Sequence, residues 1–317
     1  MVLGALVVIA FIAQRFAQRN DELRRAALNF QSYAQGATAA SSALAQILYW
    51  NASRPLMPAG RGSLAGQVRH DGTPYRTQAG AVISVQDYRG LHSINGGDRR
   101  SLLALLVQDG VEVSRAQAMI DVLDDYIDTD RLKRLNGAEY FEYQALGLAG
   151  PRNDWLVSIS ELSSMPLWRD DPVRLARLAS NVSPDLGHLY NPLTAPIASL
   201  KAMFPKLAPS HFGRILQARS EEGISRLPQL SALVGQPLDD DAYILLPGND
   251  SRIVVWAPGL PRAREYNVRL TPAGELGPWV ITEQHSTKRL KTSDEAPRAI
   301  AFPLAISAQR PEGSVAP

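Results

Sequence analysis

The sequence predicts an α+β protein: a long N-terminal helix packed on a small antiparallel sheet, with a large all-α block inserted between strands. Three observations predict it. The first fifty residues hold no proline and repeat apolar positions every three to four residues. Short apolar runs broken by turn residues occur both at 80–90 and after 241. The roughly 150 residues between them read as helix.

The N-terminal segment opens with the apolar run Val2–Ala13 and continues through "QRFAQRNDELRRAALNFQSYAQGATAASSALAQILYW". Leu23, Ala27, Phe30, Ala34, Ala37, Ser41, Leu44 and Leu48 step by four and three, which is one apolar stripe on a helix. A helix from Val2 to Trp50 is about 73 Å long at ~1.5 Å per residue. Its first third is apolar all round, with Val7, Ile9 and Phe11 central to it. Four readings of that run compete: a signal segment, a buried core helix, an interfacial helix, or the C-terminal part of a membrane helix that starts upstream. The uninterrupted helical pattern after it favours the last. The second half then docks on a soluble body.

Downstream, "NASRPLMPAGRGSLAG" reads as loop. "GAVISVQDYRG" alternates as a strand. "RRSLLALLVQDG" is a helix with a Gly after its end, and "SRAQAMIDVLDDYI" is another with Ser114 as N-cap. "SISELSSM" carries a Ser-x-x-Glu start signal. "LTAPIASLKAMFPKLAPSHFGRILQARSEEG" holds two short helices around Pro205 and Pro209. "AYILLPG", "SRIVVWAPG", "EYNVRLTPAG" and "PWVITEQHS" read as an antiparallel meander. The expected organisation is a helix at 1–50, a body formed by 51–90 and 239–290, an inserted helical domain at 91–238, and a disordered tail at 291–317.

A net charge of +2 gives no bulk attraction to polyanions, and the absence of Cys excludes disulfides, thiolate metal sites and Cys nucleophiles. The five His stand alone, without a metal pair at i, i+4 or a hydrolase motif. Carboxylates crowd Asp124–Tyr143. Asp121, Asp125 and Asp128 fall at i, i+4 and i+7, and such like charges repel unless something offsets them. Two offsets compete: a hard cation with oxygen ligands, or solvent together with Arg131, Lys133 and Arg134. The spacing is not that of an EF-hand. "LKAMFPKLAPSHFGRILQAR" has the outline of a nucleic-acid-binding helical hairpin, with Lys201, Lys206, Arg214 and Arg219 for phosphates. Its turn has no Gly to let the backbone approach a phosphate.

Five segments in order, "VQDYRGLHSING", "DVLDDYIDTD", "NGAEYFEY", "GPRNDWLVSISEL" and "YNPLTAPIASLKAMFPKLAPSHFGRILQAR", resemble the K-type minor pseudopilins of type II secretion. Tyr126 stands where that family usually has Trp, and His92-Ser93-Ile94 departs from its pattern. The family's basic leader and cleavage Gly are not found before Val2. The resemblance implies a pilin-like fold and no enzymatic activity. It implies a single-pass inner-membrane protein with its body in the periplasm. The partners implied are the other minor pseudopilins of a tip complex, the major pseudopilin and the inner membrane, with no nucleic acid and no small-molecule substrate. Its role would be to initiate and cap the pseudopilus during protein export. The helix positions Val7, Ile9, Phe11, Leu23, Ala27, Phe30, Ala34, Leu44 and Leu48 would serve membrane and assembly contacts. The resemblance also implies Ca²⁺ in the helical domain, and the matching motif positions nominate Asp125, Asp128, Asp130, Glu139, Asn153 and Glu161 as ligands. A type IV pilus minor pilin, or another membrane-anchored periplasmic interaction protein, is the alternative.

Overall fold

The computed structural model describes residues 2–63, 66–96, 98–221, 224–287 and 298–303, and the side chains of these except at 2–5, 7–9 and 220. Helix α1 runs Val2–Ser53. It ends two residues before Pro55, whose ring disfavours helical geometry at the preceding position. At 52 residues it is about 78 Å long. No helix among the described residues is long and apolar enough to cross a membrane.

The stripe that α1 buries is not the one hydrophobicity suggests. Leu23, Ala27, Phe30 and Ala34 are exposed, as is Ser41. Phe11 is exposed too, and Val7 and Ile9 lie outside the described side chains. The buried face is Gly36, Ala40, Ala43, Ile47 and Trp50, flanked by half-buried Leu44 and buried Leu48. Small residues win this position because the backbone itself makes the contact. A Cβ on Gly36 would overlap the carbonyl oxygen of Pro258, so the helix can approach there only without a side chain.

Beneath α1 lies a six-stranded sheet in the order β10-β9-β8-β5-β4-β11. Its strands are β4 (Asp71–Arg76), β5 (Val82–Asp87), β8 (Asp250–Trp256), β9 (Ala263–Leu270), β10 (Trp279–Thr287) and β11 (Ile300–Ala301). All pairings are antiparallel except β11 with β4. One core joins Ala40, Ala43, Ile47 and Trp50 to Val82, Ile83, Val85, Ile253, Val255, Tyr266 and Val268. Trp50 is fixed by an indole N–H donated to Arg61 O at 2.9 Å and by an edge contact with Phe302.

The segment expected to be loop contains a second sheet, β1 (Leu56–Met57), β2 (Gly60–Ser63) and β3 (Gly66–Arg69). Period-2 apolar alternation is missing there because Gly60 and Gly62 lie against the backbone of β3, where a Cβ would collide with carbonyl oxygens. Conversely, "AYILLPG" is not a strand, and Tyr243 makes only an isolated bridge with Tyr190. The region expected to be a disordered tail includes β11, and Phe302 beyond it is buried in the core.

β5 and β8 are neighbours, with Val82 opposite Trp256 and Asp87 opposite Ser251. Everything from 88 to 249 is therefore inserted between two adjacent strands. It begins with a 3-10 turn (Tyr88–Gly90) and β6 (His92–Ser93), which pairs with β7 (Val182–Ser183). Its helices are α2 (Arg99–Gln108), α3 (Val113–Ile127), α4 (Tyr140–Ala145), α5 (Pro172–Leu178), α6 (Ile197–Met203), α7 (Pro209–Ser220) and α8 (Leu227–Val234). The N-cap of α3 is Glu112, not Ser114, whose hydroxyl instead donates to the Glu112 carboxylate. Two apolar clusters fill the insertion. One is built on α2 and α3 with Tyr143, Leu162 and Trp168, the other on α6–α8 with Leu193 and Leu245.

Candidate functional site

Where the insertion leaves and rejoins the sheet, one carboxylate gathers three segments. Asp87, fully buried at the end of β5, accepts from the Thr194 hydroxyl at 2.9 Å and from Asn191 Nδ2 at 3.2 Å. It also accepts backbone N–H from Gly248 at 3.0 Å and Arg89 at 3.2 Å. Burial pushes its carboxyl up to about 6 against these donors. Nearby, buried Asn95 donates to Leu156 O at 2.8 Å and Pro184 O at 2.7 Å, and accepts from Leu156 N–H. Neither residue stood out as functional from spacing alone. Their signal is that both sit inside the segment "VQDYRGLHSING", while the Asp87 partners Asn191 and Thr194 sit inside "YNPLTAP".

The acidic stretch begins at the C-terminal end of α3, where Arg99 ties Asp124 to the carbonyls of Ile94 and Gly96. Helix α3 stops at Ile127 because Asp128 turns extended, and the chain then loops through Asn136-Gly137 to α4. Asn136 reaches back to Asp121 with its backbone N–H and side chain. Gly137 lies against Asp125, so any Cβ there would displace that carboxylate. The turn returns Glu139 to α3. Asp128, Asp130 and Glu139 each place a carboxylate oxygen within 4.8 Å of the others. Two oxygens on opposite sides of a Ca²⁺ ion, each at ~2.4 Å, are separated by about that distance.

The six nominated residues divide into those the structure gathers and those it uses elsewhere. Asp128, Asp130 and Glu139 form the group just described. Asp128 Oδ1 and Glu139 Oε1 are buried with no hydrogen-bond partner. Burial, then the carboxylates of Asp125, Asp128 and Asp130, raise the Glu139 pKa, which is the field a cation would relieve. Asn153 takes a left-handed conformation (φ 54°) and donates its N–H to Tyr126 O at 2.9 Å, two residues before Asp128. Its Oδ1 is also buried without a partner. Asp125 is engaged differently. Its fully buried carboxylate accepts from Arg134 Nη1 at 2.8 Å and from the Arg134 backbone N–H. Glu161 caps the 3-10 helix Ile159–Ser164 through Val157 and Ser158 N–H, and pairs with Arg152 at 3.0 Å.

Of the two offsets expected for the acidic stretch, basic side chains are in place. Arg134 pairs with Asp125 and Asp128 and lies 3.8 Å from Asp124, while Lys133 pairs with Glu142 instead. An orphaned oxygen set remains beside this ion pair, and the donor chemistry fits a hard divalent cation. A second group, Asp239, Asp240 and Asp241, is exposed throughout and has no buried orphan.

The histidines lie apart from both groups. His70 contacts Asn51 Oδ1 at 3.2 Å and His92 contacts Ser199 O at 3.3 Å, both buried. Burial lowers their pKa values to about 3 and about 4. In the hairpin of α6 and α7, Arg219 is buried and donates to the carbonyls of Ala195 and Pro192, so its guanidinium serves the fold.

Residues 85–183 match the family model of the type II secretion system (T2SS), protein K. The match starts in β5, spans the acidic loop and ends with β7. A search of curated proteins finds no match. Among solved structures, the chain is similar to one from the GspK-GspI-GspJ complex of the enterotoxigenic Escherichia coli type 2 secretion system. The identity is 15% and the TM-score 0.49, over 86% of this chain and 99% of that one.

Proposed function

We propose that this chain, whose residues 85–183 match the family model of type II secretion system protein K, is a minor pseudopilin at the tip of the secretion pseudopilus. It is a structural component rather than an enzyme, and it helps initiate and cap assembly during protein export. The observation that carries this role is the pairing of two features. One is the family-matched insertion between adjacent strands β5 and β8. The other is a helix whose described side chains before Ser32 are all exposed, Phe11, Ile12, Phe16, Leu23, Leu28 and Phe30 among them. An exposed apolar helical face of this size calls for partners. The other minor pseudopilins and the major pseudopilin would pack along it. Its apolar start, Val2–Phe16, would sit in the inner membrane with the body in the periplasm. The bulk of the insertion would block addition of a further subunit above it.

Asp128, Asp130 and Glu139, with Asn153 beside them, would hold Ca²⁺. The ion would supply charge neutralisation and fix the 128–139 loop against α3. It would take no part in a reaction.

Deleting the gene in its host tests the role. Secretion should stop, and the full chain should restore it. Normal secretion in the deletion strain would refute the assignment.

A further inference from the structure

We propose that Arg134 is a built-in counter-ion that competes with the divalent cation for Asp128, holding the acidic loop folded without the ion and setting how tightly the ion binds. The inference rests on the calcium assignment above. Asp128 is the residue common to both. Its Oδ2 pairs with Arg134 Nη1, its Oδ1 is buried without a partner, and one of its carboxylate oxygens lies within 4.8 Å of oxygens of Asp130 and Glu139. Glu139 is more than nine-tenths buried, and its Oε1 is equally unpartnered. A guanidinium and a divalent ion sharing one carboxylate repel each other, so each weakens the other's hold.

Three nearby cations are committed elsewhere. Arg99 pairs with Asp124 at 2.8 Å, Lys133 with Glu142 at 2.8 Å and Arg152 with Glu161 at 3.0 Å. Arg134 also donates its backbone N–H to Asp125, and Gly137 presses on the same carboxylate. The residue that closes the loop in the absence of the ion is thus the one whose charge opposes the ion.

Calcium titration calorimetry and thermal melting of the full chain test this, comparing the wild type with Arg134→Gln. The variant should bind Ca²⁺ at least about fivefold more tightly, because a like charge has gone. Its ion-free melting temperature should fall, and saturating Ca²⁺ should restore most of that loss. Arg134→Lys, which keeps the charge but loses the planar fork, should fall between the two in affinity and serves if the Gln variant fails to fold. A wild type that binds, with variants that bind equally or more weakly, overturns the inference and leaves the calcium assignment standing. No binding by any of the proteins overturns the calcium assignment and the inference with it. Binding by Arg134→Gln alone supports the inference in its strongest form.

Discussion

Gly36 on α1 and Pro258 after β8 touch backbone to backbone: a methyl group on Gly36 would overlap the Pro258 carbonyl oxygen. The contact is reciprocal, because a Cβ on Gly259, which sits at φ +90°, would meet the Ser32 carbonyl. This seam is where the helix leaves the body. Gly36→Val should destabilise the protein by about 2 kcal/mol, as overpacking does. Gly213→Ala, at an exposed position of α7 with nothing within 4 Å of the new methyl, should gain up to ~1 kcal/mol. Denaturant melts of the two variants check this, and similar effects of both would refute the seam.

The buried histidines set an acid limit. His70 and His92 have folded pKa values of about 3 and about 4, below the unfolded value near 6.5. The unfolded chain therefore binds more protons between those values. The stability they contribute is complete above pH 6.5 and is lost as pH falls, at about 1.4 kcal/mol per pH unit for each residue. Asp87, raised to about 6, acts in the opposite sense, and its stability penalty fades as pH falls from 6 towards 4. His92→Gln should flatten the loss of stability between pH 6.5 and 4.5. Parallel pH curves for variant and wild type would contradict the assignment.

The hairpin of α6 and α7 is a packing module. Arg219 is buried, and burial lowers its pKa to about 10 while its guanidinium holds the Ala195 and Pro192 carbonyls. Arg219→Ala should cost ~2–3 kcal/mol, since hydrogen bonds from a charged group are lost and buried carbonyls are left unpaired. Duplex DNA should give no salt-dependent mobility shift with the wild type.

The calcium assignment predicts a concentration-dependent rise in melting temperature with Ca²⁺. At a hundred times the dissociation constant, the stabilisation is about 2.7 kcal/mol. Glu139→Gln should abolish most of it while leaving α4 helical by circular dichroism. An unchanged response would remove Glu139 from the ligand set.

Much of the architecture was legible in the sequence, and for physical reasons. The proline-free N-terminus gives α1, the alternation at 82–87 gives β5, and Ser158 with Glu161 forms a capping box. The register of α1 was not legible. Hydrophobicity points to Leu23 and Phe30, but close backbone approach selects Gly36, Ala40 and Ala43. The glycine strands β2 and β3 carry no alternation to read, and "AYILLPG" is an apolar run that does not pair as a strand. In the acidic stretch, spacing exposes the carboxylates but not their division. Which of them Arg134 takes, and which stay orphaned, depends on how a twelve-residue loop folds back past Gly137.

Because the chain has no cysteine, single Cys substitutions along α1 give unambiguous cross-links in its native host. Phe16→Cys, Leu23→Cys and Phe30→Cys lie on the exposed part of the helix, and Leu276→Cys is a fully exposed control on the body. Paired with cysteines in the helices of the other pseudopilins, the three α1 positions should form disulfides during active secretion, and the control should not. Normal accumulation of all four variants with no cross-link from α1 would contradict the pseudopilus assignment.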